Sequence, residues 1–237
     1  IYIGSFVYAE KAMTAEVREI SKKYKDKTVL DKVSFEARSG EFVGIIGANG
    51  CGKSTLLSVL AGVAERDGGD FLIDSVSLFK KGGEGLRGAV GYVPQGDPLL
   101  EELSAKDNLR MWYSEKEIKS ASSPGGVLSM LGIDAFMNKR VSRMSGGMKR
   151  RLTIACAVAG DPKVLLLDEP TASLDAECRS SIYAYFDSLK KRGCILIAAT
   201  HSIAEISRCD RVYLLKDGTA APYSRTPESL TELAEDL

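Results

Sequence analysis

Gly47-Ala48-Asn49-Gly50-Cys51-Gly52-Lys53-Ser54 follows the short apolar run Phe42-Val43-Gly44-Ile45-Ile46 and precedes Thr55-Leu56-Leu57-Ser58-Val59-Leu60-Ala61. The apolar run reads as a buried strand. The eight residues have the spacing G-x-x-x-x-G-K-[ST], and the stretch after them reads as a helix stopped near Gly62. Strand before and helix after separate a phosphate-binding loop from a Gly-rich turn that binds nothing. Glycines let successive backbone N–H groups turn inward around a β-phosphate. The helix start adds its positive end. Lys53 supplies a point charge for β- and γ-phosphates, and the Ser54 hydroxyl suits Mg²⁺. Cys51 sits in the loop beside a helix N-terminus and Lys53, which both favour thiolate, so reactivity there is expected; an inert buried thiol is the other reading.

Outward from this loop, a second apolar strand, Val164-Leu165-Leu166-Leu167, runs into Asp168-Glu169. Parallel strands end at the sheet edge where α/β proteins bind ligands. There Asp168 is placed to orient a Mg²⁺ shell and Glu169 to polarise an attacking water, with a solvated turn as the plainer reading. A third apolar strand, Ile195 to Ala199, leads through Thr200 to His201, the one histidine of the sequence, on the same predicted edge. Ser145 reads as an N-cap, followed by Gly146-Gly147 and a helix through about Ala159, with Gly160-Asp161-Pro162 as the stop. Leu152, Ile154, Ala155 and Val158 form its expected buried face. Its first turn offers N–H groups and a hydroxyl, an anion site without an anion of its own. Lys149, Arg150 and Arg151 read as a solvated helix face.

The 237 residues are enough for one well-cored domain with room for a subdomain. Lys+Arg and Asp+Glu are both 32, so the formal net charge is zero. A strong nucleic-acid binder usually has a basic excess, so direct nucleic-acid binding is not expected. No run approaches the roughly 18 apolar residues of a membrane span, so a membrane role is expected only through a partner. The five cysteines, Cys51, Cys156, Cys178, Cys194 and Cys209, are odd in number and contain no CxxC pair. That pattern favours a reduced, cytosolic compartment over a metal site or disulfide framework. Residues 1–12 do not read as a signal peptide and are expected to be an upstream extension or a remnant of cloning.

Further strands are expected at Val17 to Ile20, Val33 to Ala37, Phe71 to Ile73, Ala89 to Val93 and Val212 to Leu215. The later strands alternate with helices, which predicts βαβ units. Residues 96–144 break this rhythm, with helical patterns at Ala105 to Tyr113 and Val127 to Leu131. The expected fold is α/β: a P-loop NTPase core over 13–95 and 145–237, with a mostly parallel sheet and an N-terminal antiparallel β portion, and a helical subdomain inserted over 96–144.

Taken together, the phosphate loop, Asp168-Glu169 and the Ser145-Gly146-Gly147 helix start between them resemble the ATP-binding subunit of ABC (ATP-binding cassette) transporters. The resemblance covers about Met13 to Gly218. It implies ATP and Mg²⁺ as ligands, and ATP hydrolysis. It implies Glu169, His201, Gln95 and Lys53 as catalytic residues, His201 touching the γ-phosphate and Gln95 touching Mg²⁺ and the water. It implies Ser54, Gln95 and Asp168 around the metal. Gly47, Asn49, Gly50, Cys51, Gly52, Lys53, Ser54 and Thr55 hold the nucleotide, with Tyr24 stacked on adenine. Ser145, Gly146 and Gly147 cap the γ-phosphate of ATP held by a second ATPase subunit, so two ATP lie in a homo- or heterodimer interface that the loop Ala172-Ser173-Leu174-Asp175 crosses. The family usually has Leu-Ser-Gly-Gly-Gln at the helix start; Met144 and Met148 replace its Leu and Gln, which removes one amide contact. Met-Lys-Arg-Arg after the glycines resembles the exporter-type (ABC-2) subgroup. A separate transmembrane permease is the implied partner, met on the cytoplasmic face of the membrane, with some of Leu99, Leu100, Leu103, Met111, Trp112 and Tyr113 lining its groove. A soluble ABC ATPase of the iron–sulfur assembly type is the alternative, and its partners would be soluble.

Overall fold

Side chains alternate faces along a strand, so a strand buried on both sides must be apolar at every position. All five residues of Phe42–Ile46, Val164–Asp168 and Ile195–Ala199 are buried. In the computed structural model, which describes residues 13–224, these runs form the centre of a six-stranded sheet. The expected extension over 1–12 and the end of the expected core, 225–237, lie outside the described residues.

In chain order the strands are β1 (Thr14–Tyr24), β2 (Lys27–Arg38), β3 (Phe42–Ile46), β4 (Gly68–Ile73), β5 (Val76–Ser77), β6 (Val90–Val93), β7 (Val164–Asp168), β8 (Ile195–Ala199), β9 (Arg211–Lys216) and β10 (Thr219–Pro222). The helices are α1 (Lys53–Leu60), α2 (Lys80–Gly83), α3 (Ala105–Leu109), α4 (Glu115–Ala121), α5 (Val127–Met130), α6 (Gly146–Ala157), α7 (Ala176–Lys191) and α8 (Ile203–Ile206). The large sheet has the order β10-β9-β3-β8-β7-β6, parallel except for β10. A second, antiparallel sheet has the order β2-β1-β4-β5. The chain therefore has the expected α/β fold with an antiparallel N-terminal portion.

The period of two divides the core. Phe42, Ile46, Leu165, Leu167, Leu196 and Ala198 pack on one side with the helices of residues 105–158 and with α7. Val43, Ile45, Val164, Leu166, Ile195 and Ile197 pack on the other, with α1 and the antiparallel sheet.

Register aligns the strand ends. Ile45 of β3 pairs with Ala199 of β8, which pairs with Asp168 of β7; Val93 of β6 pairs with Leu167. Gly47, His201, Glu169 and Gln95 thus leave the sheet within a residue or two of one level. The edge of a parallel sheet beyond its carboxyl ends is where such folds bind ligands.

Two helices end two or more residues before the sequence pattern predicts. The run Ala105 to Tyr113 is helical only to Leu109. Ser114 begins α4 with a capping box, its hydroxyl accepting from the Glu117 N–H while Glu117 accepts from the Ser114 N–H. An N-cap needs extended backbone, and Ser114 has ψ 163°, so the preceding helix must end first. The helix expected to reach Ala159 ends at Ala157, with Val158 at its cap.

Candidate functional site

The phosphate loop joins β3 to α1. Gly47, Gly50 and Gly52 have φ of 147°, 77° and 114°, a region that L side chains avoid. A Cβ at Gly47 would stand 2.3 Å from the Leu215 carbonyl oxygen, so close approach also demands glycine there. Lys53 is buried, and its Nζ donates to the carbonyls of Gly47 and Ala48 at 2.6 and 3.2 Å. The loop is thereby drawn around the ammonium group at the positive end of α1.

Beside it is a pocket of about 200 Å³ lined by Asn49, Gly50, Gly52, Lys53, Ser54, Thr55, Gln95 and Glu169. Three chain segments distant in sequence meet there. Glu169 is the hub: its Oε1 lies 3.1 Å from His201 Nδ1, and its Oε2 accepts from Gln95 Nε2 at 3.5 Å. The Glu169 backbone is held in the left-handed region at φ 46°, and its N–H donates to the Ala199 carbonyl at 2.9 Å. For a residue with a Cβ that conformation costs about 1–2 kcal/mol, so the surroundings must enforce it.

Asp168 is buried at the end of β7. Burial raises its carboxyl above the ordinary value; the Ser54 hydroxyl opposes this, the Glu169 charge adds to it, and Arg150 and Lys53 oppose it. A divalent cation beside Asp168 and Ser54 would favour the charged carboxylate. Among the described residues no cluster of three or more His, Cys, Asp or Glu forms a metal cage. One carboxylate and one hydroxyl, with the Gln95 amide oxygen nearby, are the hard oxygen donors that Mg²⁺ shares with phosphate oxygens and water, so the donor set fits.

Other predicted residues lie elsewhere. Cys51 is half-buried among the apolar residues beneath the loop, its Sγ where a Cβ on Gly47 would come within 2.9 Å. Tyr24 ends β1, 49% exposed, outside the pocket lining. Ser145, Gly146 and Gly147 are also outside it. Ser145 caps α6 by accepting from the Met148 N–H at 3.3 Å, and a Cβ at Gly146 would meet nothing within 4 Å. Gly147 is backed by Cys178, whose Sγ would stand 3.0 Å from a Cβ there. Met144 is buried in the core, and Met148 packs half-buried with its Sδ accepting from Lys139 Nζ at 3.7 Å. Asp175, at the end of the loop Ala172-Ser173-Leu174-Asp175, caps α7 by accepting from the Cys178 N–H.

The basic run corrects the sequence reading. Lys149 is a partly exposed ion pair with Glu101 at 2.8 Å, and Arg151 donates to the Leu131 carbonyl and stacks over Phe136. Arg150 is not on a solvated face. It is 5% exposed and donates to the carbonyls of Pro94, Asp168, Glu169 and Pro170. Burial lowers its affinity for the proton, and the Asp97 carboxylate opposes that. Helical spacing held the signal: Arg150 stands four residues before Ile154, on the buried stripe.

Sequence reasoning also missed Glu205, 1% exposed on α8, whose Oε1 accepts from the Thr171 N–H at 3.1 Å and from the Thr171 hydroxyl. It ties the segment after His201 to the segment after Glu169.

Of the apolar group after Gln95, Tyr113 is anchored, its hydroxyl donating to the Ala155 carbonyl at 2.7 Å. Leu100, Met111 and Trp112 are 52%, 51% and 63% exposed, and with Leu99, Pro98 and Tyr92 they line a groove of about 730 Å³. No helix among the described residues is long and apolar enough to cross a membrane.

Residues 30–172 match the family model described as ABC transporter. The chain is 35% identical over 226 residues to the Nod factor export ATP-binding protein I of Rhizobium etli, covering 93% of this chain and 71% of that protein. It is 36% identical over 221 residues to the protein of the same name from Sinorhizobium fredii, covering 91% of this chain and 64% of that one. Among solved structures it resembles an ATP-binding cassette in a dimeric post-hydrolysis state bound to ADP and Pi, with TM-score 0.78, 27% identity, and coverage of 90% of this chain and 99% of that one. It also resembles an ATP-binding subunit of an ABC transporter, with TM-score 0.80, 28% identity and coverage of 92% and 97%.

Proposed function

The chain belongs to the ABC transporter family as an ATP-binding ATPase domain, and from that premise we propose that it dimerises around two ATP molecules and drives a separate membrane permease. The observation that carries the reading is Glu169, held between His201 and Gln95 at the mouth of the phosphate-loop pocket. The loop N–H groups, Lys53 and Thr55 hold the phosphates. Ser54, Asp168 and Gln95 hold Mg²⁺, which when bound neutralises charge on the phosphate oxygens. Glu169 orients water in line with the γ-phosphorus and receives its proton. His201 fixes the Glu169 carboxylate and reaches the γ-phosphate. Catalysis is then mostly positioning and electrostatic stabilisation.

The second half of each site comes from the partner. Ser145 and Gly146 are exposed at the start of α6, outside the pocket of their own chain. In the dimer they cap the γ-phosphate held by the other phosphate loop. The solved relative in a dimeric state bound to ADP and Pi supports a nucleotide-bound dimer. The groove of Leu100, Met111 and Trp112 receives a cytoplasmic helix of the permease, so the chain acts on the inner face of the membrane. Export is the direction we favour, supported by the export proteins among its relatives and by the run Met148-Lys149-Arg150-Arg151.

Glu169→Gln tests the core of this reading. It keeps the size and loses the base. Nucleotide affinity is expected to stay near normal, turnover to fall about 10²–10⁴-fold, the range for a lost general base, and an ATP-bound dimer to accumulate in size-exclusion chromatography. Near-normal turnover would remove Glu169 from the role.

A further inference from the structure

We propose that Arg150 is a positioning residue for hydrolysis, holding Glu169 and the start of the Gln95 segment in register with the helix that begins at Ser145. The guanidinium has five N–H groups in a fixed planar fork. Each has a partner. Nε donates to the Pro170 carbonyl at 2.9 Å. Nη1 donates to the Pro94 carbonyl at 2.5 Å and pairs with Asp97 Oδ1 at 3.5 Å. Nη2 donates to the carbonyls of Asp168 and Glu169 at 2.6 and 2.9 Å.

Three successive carbonyls, those of residues 168, 169 and 170, therefore converge on one group. Consecutive carbonyls of an extended strand point to alternate sides, so convergence requires the strand to break where Glu169 turns to φ 46°. Arg150 is the cation that rewards this conformation. The same fork reaches Pro94, whose carbonyl immediately precedes Gln95. Both neighbours of the attacking water in the proposed mechanism are thus fixed from behind by one side chain.

That side chain belongs to α6. It lies five residues from Ser145, within one short helix. Displacement of the α6 N-terminus by a partner's γ-phosphate is carried through Arg150 to the backbone of Glu169 in its own chain. The cap of one ATP and the catalytic carboxylate for the other are linked by a single guanidinium. Pro94 and Asp97 add the segment from β6 to the same knot, and that segment leads to the groove of Leu100 and Trp112.

This role rests on the proposed action of Glu169, so the test separates the two. Arg150→Lys keeps the charge and offers three donors in place of five; Arg150→Met keeps the length alone. Affinity for a fluorescent ATP analogue in the full chain is expected to change less than about threefold in either, because Lys53 and Ser54 are untouched. Turnover is expected to fall about tenfold in Arg150→Lys and about 10²-fold in Arg150→Met at nearly constant KM, the loss expected when a reacting group is misplaced by about 1 Å. Added to Glu169→Gln, Arg150→Lys should change the residual single-turnover rate less than threefold, since residues acting as a unit are non-additive.

A normal kcat in Arg150→Lys overturns the role, as does a loss confined to KM or a tenfold loss that multiplies unchanged onto Glu169→Gln. If Arg150→Met fails to fold, Arg150→Lys decides alone. Should Glu169→Gln itself turn over normally, the parent reading fails. Should Glu169→Gln be slow and Arg150→Lys normal, only the positioning role fails.

Discussion

Two glycine-led helix starts do opposite things in this molecule. Before α1, Gly47, Gly50 and Gly52 are all at positive φ, and the chain curls back so that Lys53 fills the space with its own charge. At the start of α6, Gly146 and Gly147 have ordinary helical backbone, and the region before Gly146 is open. Glycine at positive φ shapes a loop that closes on a lysine of its own chain. Glycine in helical backbone removes side chains from a helix end and leaves the end accessible. Identical residue types thus adopt two different geometries, which backbone conformation tells apart. In the proposed dimer, one start holds the ligand of its own chain and the other completes the site of the partner.

The sharpest way to break this contrast is to remove the charge from the closed site. Lys53→Ala deletes the ammonium group between the loop carbonyls and the phosphates. Turnover is expected to fall about 10³-fold, the upper end for loss of one preorganised electrostatic donor. ATP affinity, followed by equilibrium dialysis, should fall with it.

At the open start the contrast predicts a different pattern. Gly146→Asp places a carboxylate where a partner's phosphate would dock. Nothing lies within 4 Å of the new Cβ, and an acidic residue in a first helical turn is favourable by about 0.3–1 kcal/mol. Monomer melting temperature should therefore hold or rise, and ATP affinity should hold, while turnover falls about 10²-fold. Mixing the two defective chains sharpens the point. In a mixed dimer one site pairs the intact phosphate loop of the Gly146→Asp chain with the intact helix start of the Lys53→Ala chain. Equal mixing should restore roughly a quarter of normal activity, since half the dimers are mixed and each has one good site. If both starts served one chain, mixing would restore nothing.

The closed site was largely legible in the sequence because its parts are local. A spacing of eight residues specifies the loop, and apolar runs specify the strands whose register then brings Gly47, Gln95, Glu169 and His201 to one level. Arg150 was not legible in the same way. A charge run normally marks solvent, and burial of this guanidinium depends on four carbonyl acceptors and one carboxylate from two distant segments. The end of α3 was obscured for a related reason. Its apolar pattern continues through Met111, Trp112 and Tyr113, and only the competing cap at Ser114 stops it. Glu205 was hidden because its partner, Thr171, is 34 residues away. Local periodicity reports elements, whereas long-range polar pairs need the fold.

The smallest expected effect concerns the part of the closed site that does not touch phosphate. Tyr24 is exposed at the end of β1, and Lys22 Nζ lies 5.1 Å from its ring centroid. If adenine stacks on this ring, Tyr24→Ala should raise the KM for ATP roughly fivefold, since base–aromatic stacking is worth about 1–3 kcal/mol and an exposed ring sits at the low end. The value of kcat should be unchanged, because a contact equally strong in ground and transition states lowers KM alone. Tyr24→Trp should restore or tighten binding, as a larger π-face stacks at least as well. Thermal stability should move little, for the ring is exposed and caps nothing. Titration of steady-state rates against ATP for the two variants separates these outcomes. A kcat that falls in Tyr24→Ala while KM stays fixed would make the ring part of the strand's structure and would place adenine elsewhere on the chain.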